Sequence, residues 1–145
     1  MTGTMSNKDY IIWPRKMKSF LDSKINKSLK AKDFTASQIH FIIAIAEREG
    51  LSMKDLCVEL GIDKGLPTRV VKALIENGHV VNKSESSRTY KLYLTDKGVE
   101  AFDFAMMNLE QTLEQVLECL DEQELGCLKT ISRKLNNRLD ELHKY

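Results

Sequence analysis

Residues Asp63–Thr95 read DKGLPTRVVKALIENGHVVNKSESSRTYKLYLT, and this stretch decides the fold. Leu66, Val70, Ala73 and Leu74 recur at helical spacing and predict a core-facing stripe. Gly65, Thr68, Arg69, Lys72 and Glu76 then share the opposite face. Asn77-Gly78 stops the helix. From His79 to Lys83 and from Thr89 to Leu94 the residues alternate as strands, with Leu92 and Leu94 inward and Lys91 and Tyr93 outward. The stretch between them, Ser84-Glu85-Ser86-Ser87-Arg88, is too polar to pack and reads as a wing. A helix followed by a hairpin with Lys83, Arg88 and Lys91 predicts a surface that reads nucleic acid.

Working outward, two helix starts precede it. Thr35-Ala36-Ser37-Gln38 has the form of a capping box, and Ile39, Ile42, Ile43 and Ala46 give the buried face of the helix that follows, which Gly50 ends. Ser52-Met53-Lys54-Asp55 is a second box, opening a short helix with Leu56, Cys57 and Leu60 inward and Gly61 as its stop. Asp63 caps the next helix, and Pro67 is close enough to its first turn to be tolerated. Short helices separated only by Gly61-Ile62 have helix-turn-helix spacing.

The flanks are helical. Residues 1–12 read as a flexible start, and Pro14 suits the first position of a helix. Met17, Phe20, Leu21, Ile25 and Leu29 form its stripe, with Lys16, Lys18, Lys24, Lys27 and Lys30 largely turned away. Thr95 caps a long helix with Phe102, Ala105, Met106, Leu109, Leu113, Val116, Leu117 and Leu120 at helical spacing. Asp121-Glu122-Gln123-Glu124 is a third capping box, and Leu125, Leu128, Ile131, Leu135, Leu139 and Leu142 make the last stripe. These helices hold more apolar surface than a small winged domain can cover, which predicts burial against a second subunit. The expected fold is mainly α with a small β-hairpin wing. It comprises an N-terminal arm and dimerisation helix (1–34), a winged helix-turn-helix (35–96) and C-terminal dimerisation helices (97–145).

Bulk properties agree. A chain of 145 residues, 42% hydrophobic and 30% charged, is the size and composition of one folded domain with helical additions. Its net charge of +1 hides a segregation: +5 over residues 1–34, −2 over 35–62, +3 over 63–98 and −5 over 99–145. Positive charge concentrated in blocks can bind a polyanion whatever the total. No apolar run is long enough for a membrane helix and the N-terminus lacks a signal-peptide core, so the expected location is the cytoplasm. Cys57, Cys119 and Cys127 have no CxxC spacing and read as buried small side chains. His40, His79 and His143 lie far apart, so no metal or other cofactor is expected. No nucleophile–base pair or phosphate-cradling glycine loop points to an enzyme.

The chemistry of the central stretch can be made specific. A helix fits the DNA major groove, where Arg or Lys bonds guanine edges and Thr bonds a base or touches a thymine methyl. Arg69, with Thr68 and Lys72 beside it, is the expected base-reading set. Lys64 and the helix end at Ser52 are placed to hold phosphates. Arg88, with Ser87, would reach the adjacent minor groove. The other reading of the same fold is a protein-interaction module that has lost DNA recognition. It would be expected to show an acidic or apolar helix face, which Thr68, Arg69 and Lys72 are not.

The pattern FTASQIHFIIAIAEREGLSMKDLCVELGIDKGLPTRVVKALIENGHV…SSRTYKLYLTDKG resembles the MarR family of winged-helix regulators. The most specific parts are TRVVKALIENGHV and Arg88, seven residues before Thr95. The resemblance implies a homodimer that binds a pseudo-palindromic operator in double-stranded DNA, often as a repressor. It also implies release by a small aromatic or phenolic effector in a cleft near Trp13, Met17, Phe20 and His40. The family usually has an acidic residue two positions before the wing arginine; Ser86 stands there, with Glu85 one step off, so the usual brace is missing. The peroxide-sensing branch places a reactive cysteine in the first helix region, and this chain has none there.

Overall fold

Side-chain caps set where the helices begin. Thr35 Oγ1 accepts from the Gln38 N–H at 3.2 Å while Gln38 Oε1 accepts from the Thr35 N–H at 3.0 Å. Ser52 and Asp55 make the same reciprocal pair at 3.1 Å each way. Asp121 and Glu124 make it at 3.1 and 2.8 Å. All three boxes lie where the sequence predicts them.

In the computed structural model, which describes residues 7–29, 34–62, 65–86 and 88–143, these caps open three of six helices. The order is α1 (Asn7–Leu29), α2 (Ala36–Glu47), α3 (Met53–Leu60), α4 (Gly65–Glu76), β1 (Val80–Asn82), β2 (Leu92–Leu94), α5 (Asp96–Leu117) and α6 (Glu122–His143). The fold is mainly helical with a small hairpin, as expected. Its residues fall into two compact units, Met1–Leu109 and Glu110–Tyr145. No helix among the described residues is long and apolar enough to cross a membrane.

The first unit is built around α2. Ile39, Phe41, Ile42, Ala44 and Ile45 are all buried, whereas Ile43 and Ala46, expected in the buried face, are half-buried. The difference has a simple cause: α1, α3, α4 and β2 all pack on α2, so it is apolar round most of its circumference. Ile25 and Leu29 of α1, Leu56 of α3, Val71 and Leu74 of α4, and Ala101 and Ala105 of α5 complete the same core. The first helix therefore shares the winged domain's core through its C-terminal end.

Other expectations are corrected. α1 begins at Asn7, inside the segment expected to be flexible, and Pro14 lies within it. Proline removes one i→i−4 bond there, and Ile11, Ile12 and Trp13 around it are exposed, so water can hydrate the helix at that point. On α4 the inward residues are Pro67, Val71 and Leu74, while Val70 and Ala73 are half-buried. Leu74 is buried as expected and the Pro67 ring packs inward, while the Leu66 side chain, expected inward, lies outside the described residues. Cys57 is half-buried, but Cys119, in the α5–α6 turn, and Cys127, in the second turn of α6, both expected to be buried, are exposed. The cap expected at Asp63 lies outside the described residues.

The strands are shorter than the alternation suggests. β1 and β2 pair antiparallel with Val80 opposite Leu94 and Asn82 opposite Leu92. A bridge from Leu51 to Leu92 adds a third, one-residue edge, with the Leu92 N–H donating to Leu51 O at 3.0 Å. A single residue has no period, so sequence reading missed it. In the second unit the end of α5 faces α6 across a groove of about 690 Å³ that includes Leu113, Leu117, Leu120 and Leu125.

Candidate nucleic-acid interface

The helix-turn-helix is held by backbone geometry at Gly61. This residue sits at φ 62°, ψ 40°, the left-handed conformation that caps α3 and that glycine adopts without steric cost. The Ile62 N–H then donates to Cys57 O at 3.1 Å. α4 follows, and because Pro67, Val71 and Leu74 are buried, its opposite face is turned outward. Arg69 and Lys72 are exposed on that face and Thr68 is half-buried beside them. Residues three and four apart on a helix are neighbours, so the three side chains form one patch. Among the described residues, neither Arg69 nor Lys72 has an ion-pair partner.

Ser52 sits at the start of α3, half-buried and occupied by its cap. Its N–H and hydroxyl hold the Asp55 carboxyl below the usual carboxylate range, with the backbone bond the larger cause. That carboxylate lies at the same helix end and offsets part of its positive dipole. Lys64 and Ser87 lie outside the described residues.

The wing is more organised than its composition suggests. The Lys83 N–H donates to Lys91 O at 2.9 Å, extending the ladder past the named strands. Lys83 Nζ lies 4.4 Å from the centre of the Tyr93 ring, a cation–π contact at the wing's base. Asn82, which sequence reading did not single out, reaches both sides of the hairpin: Oδ1 accepts from the Ser84 and Lys91 N–H groups at 3.0 and 2.9 Å, and Nδ2 donates to Thr89 O at 3.2 Å. The Ser84 and Thr89 hydroxyls are hydrogen-bonded to each other. Ser86, in the place of the usual acidic brace, accepts from the Arg88 N–H at 3.1 Å. The one available signal was an asparagine two residues before a serine, the composition of an Asx-turn. Arg88 itself is exposed.

The residues expected to line an effector cleft are only partly brought together. Met17 and Phe20 are half-buried on α1, while Trp13 is 52% exposed. His40 on α2 meets α1 at Asp22, with Nε2 2.9 Å from Oδ1. Asp22 also accepts from Lys18 Nζ at 2.6 Å. Burial pushes the Asp22 carboxyl up, but these two partners outweigh it and the net shift is downward. An open groove of about 590 Å³ runs beside it, lined by Arg15, Lys18, Ser19, Asp22, Ser23 and Asn26. Asp22 is thus a functional candidate that sequence reading missed. Among the described residues no three His, Cys, Asp or Glu side chains converge as a metal site.

Residues 32–88, which span α2, the helix-turn-helix and most of the wing, match the sequence model of the MarR family. Over this stretch, 57 of its 145 residues, the chain is similar to the MarR family. It is 28% identical over 109 residues to the HTH-type transcriptional regulator BilQ of Clostridium symbiosum (strain WAL-14163), covering 74% of this chain and 76% of that protein. It is 28% identical over 132 residues to the transcriptional repressor MprA of Escherichia coli (strain K12), covering 88% and 75%. Solved structures share the fold. A MarR transcriptional regulator from Methanosarcina mazei Go1 superposes with a TM-score of 0.81 at 19% identity, over 95% of this chain and 94% of that one. A MarR family regulator from Listeria monocytogenes, solved with a 26mer DNA, gives 0.74 at 22% identity, over 99% and 94%.

Proposed function

We propose that this chain is a MarR-family regulator, a homodimeric, cytoplasmic repressor that binds a pseudo-palindromic operator in double-stranded DNA. The observation that carries the reading is the patch of Thr68, Arg69 and Lys72 on the outward face of α4, its two cations without ion-pair partners among the described residues. Arg69 reads bases with Thr68 and Lys72 in the major groove. Ser52 and Lys64 hold backbone phosphate, and Ser87 and Arg88 enter the adjacent minor groove. The DNA in the Listeria complex and the word repressor in the name of MprA belong to those proteins; both agree with the reading. Two copies would place their recognition helices one turn of DNA apart, about 34–36 Å. A small aromatic effector bound near Trp13, Met17, Phe20 and His40 would release the operator.

The test is selection of bound fragments from random-sequence duplex DNA by the purified protein. Wild type should enrich a two-fold-related site, with affinity falling steeply as salt rises. Arg69→Ala should lose roughly 10–100-fold in preference for that site, the worth of one bidentate base contact. Arg88→Ala should weaken binding more evenly across sequences. A folded Arg69→Ala protein that keeps full operator discrimination would refute the base-reading role. No enrichment by wild type would favour the interaction module instead.

A further inference from the structure

The paired strands of the hairpin end at Asn82–Leu92, one further backbone bond joins the Lys83 N–H to Lys91 O, and the wing beyond it needs another source of order. Ser84 and Lys91, on opposite sides of the loop, both donate their N–H groups to one atom, Asn82 Oδ1, at 3.0 and 2.9 Å. The Asn82 Nδ2 donates to Thr89 O at 3.2 Å. One side-chain amide therefore clasps the outgoing and returning segments at three points. A relay of hydroxyls continues outward. The Ser86 N–H donates to Ser84 Oγ at 3.3 Å, and the Arg88 N–H donates to Ser86 Oγ at 3.1 Å. The base of the clasp is anchored, since Val80 and Leu92 are buried on either side of it.

We propose that Asn82 positions the wing arginine, Arg88, for contact with DNA, through the chain Asn82–Ser84–Ser86–Arg88. The proposal rests on the reading of Arg88 as a DNA contact. The job needs an amide: two acceptor bonds and one donor bond converge on one short side chain, and aspartate lacks the donor. The brace is also uncharged. A carboxylate placed two residues before Arg88 would offset part of its charge, whereas Ser86 holds only its backbone. Among the described residues Arg88 has no ion-pair partner, so its whole charge faces outward. Asn82 is thus a positioning residue; Arg88 makes the contact.

A double-mutant cycle on the duplex recovered by selection tests this, read by fluorescence anisotropy. Arg88→Ala should weaken binding about tenfold, the loss of one charge-assisted contact, and lower the salt slope by about 1. Asn82→Ala should do nearly the same. The double variant should bind no more weakly than Arg88→Ala alone, while Asn82→Ala and Arg69→Ala should multiply. A general loss of stability would not couple to Arg88 in this selective way. In the free protein, Asn82→Ala should speed hydrogen exchange at the Ser84 and Lys91 amides, and Asn82→Asp, which keeps the acceptor, should restore their protection. The proposal is overturned if Asn82→Ala binds like wild type while Arg88→Ala does not, or if its loss persists in full on the Arg88→Ala background. Arg88→Ala binding like wild type would refute the wing contact itself.

Discussion

His79 follows the stop of α4 yet is only 7% exposed, its ring edge-on to Phe34 with centres 4.4 Å apart. Its Nδ1 is buried without a hydrogen-bond partner among the described residues. Burial first, and the positive charge of Lys97 second, push its pKa below the ordinary 6.5. The folded protein therefore holds a neutral ring, and the unfolded chain takes up the proton at a higher pH. Between the folded and unfolded values the unfolded state binds more protons, so acid favours it. The melting temperature should be unaffected by this group above about pH 6.5 and should fall as pH drops through the interval below it. Asp22 and Asp55, both held below 3.8, act in a separate window at lower pH. Calorimetry from pH 7.5 to about 5 checks this, with His79→Leu as the control that should flatten the slope. An equal slope in His79→Leu would place the acid sensitivity elsewhere. Nothing in the sequence marks this histidine as different from the other two. Its burial comes from Phe34 and from α5, which no local pattern encodes.

At the scale of elements, the joint between the hairpin and α5 is the tightest feature. Thr95 Oγ1 accepts from the Gly98 N–H at 3.1 Å and donates to Gly78 O at 2.6 Å, so one hydroxyl caps α5 and ties it to the end of α4. Lys97 Nζ adds a bond to Asn77 O at 2.8 Å. A Cβ on Gly98 would fall 2.1 Å from His79 O, a backbone atom that cannot swing aside. Thr95→Ala should cost about 1–2 kcal/mol, as lost caps do. Gly98→Ala should cost about 3 kcal/mol or more, although alanine is the better helix former. Urea unfolding of the two variants gives the order, and a Gly98→Ala protein as stable as wild type would contradict the packing. The cap was legible, because Thr95-Asp96-Lys97-Gly98 announces a helix start. The close approach was not, because it depends on a carbonyl brought in from another element. The wing divides in the same way: Leu92 and Leu94 gave away the strand, while Asn82 gained its role only from the three partners that the hairpin brings to it.

For the whole molecule, the apolar periods of the flanking helices were readable, and the structure shows how much of them a single chain leaves uncovered. Ile131, Leu135, Leu139 and Leu142 stand on one face of α6 at 52%, 57%, 51% and 51% exposure. Four such residues at helical spacing form a continuous apolar seam, which a lone soluble chain has little reason to display. The seam supports the proposed dimer, and a two-fold axis makes each residue of it count twice. Burying one leucine is worth ~1.5–3 kcal/mol, so Leu135→Asp should weaken association by roughly 3–6 kcal/mol, a factor of about 10²–10⁴. Sedimentation at micromolar concentration should show wild type as a dimer and Leu135→Asp as a monomer with its helix content kept. The monomer should also bind the selected duplex far more weakly than wild type, because each copy then meets its half-site alone, without the effective concentration that linkage provides. Leu139→Asp, one turn along the same seam, should behave alike. Glu114→Lys at the rim of the α5–α6 groove is an exposed charge change away from the seam residues and should leave the dimer intact. A Leu135→Asp protein that sediments as a dimer and binds the duplex like wild type would place the association surface elsewhere on the chain.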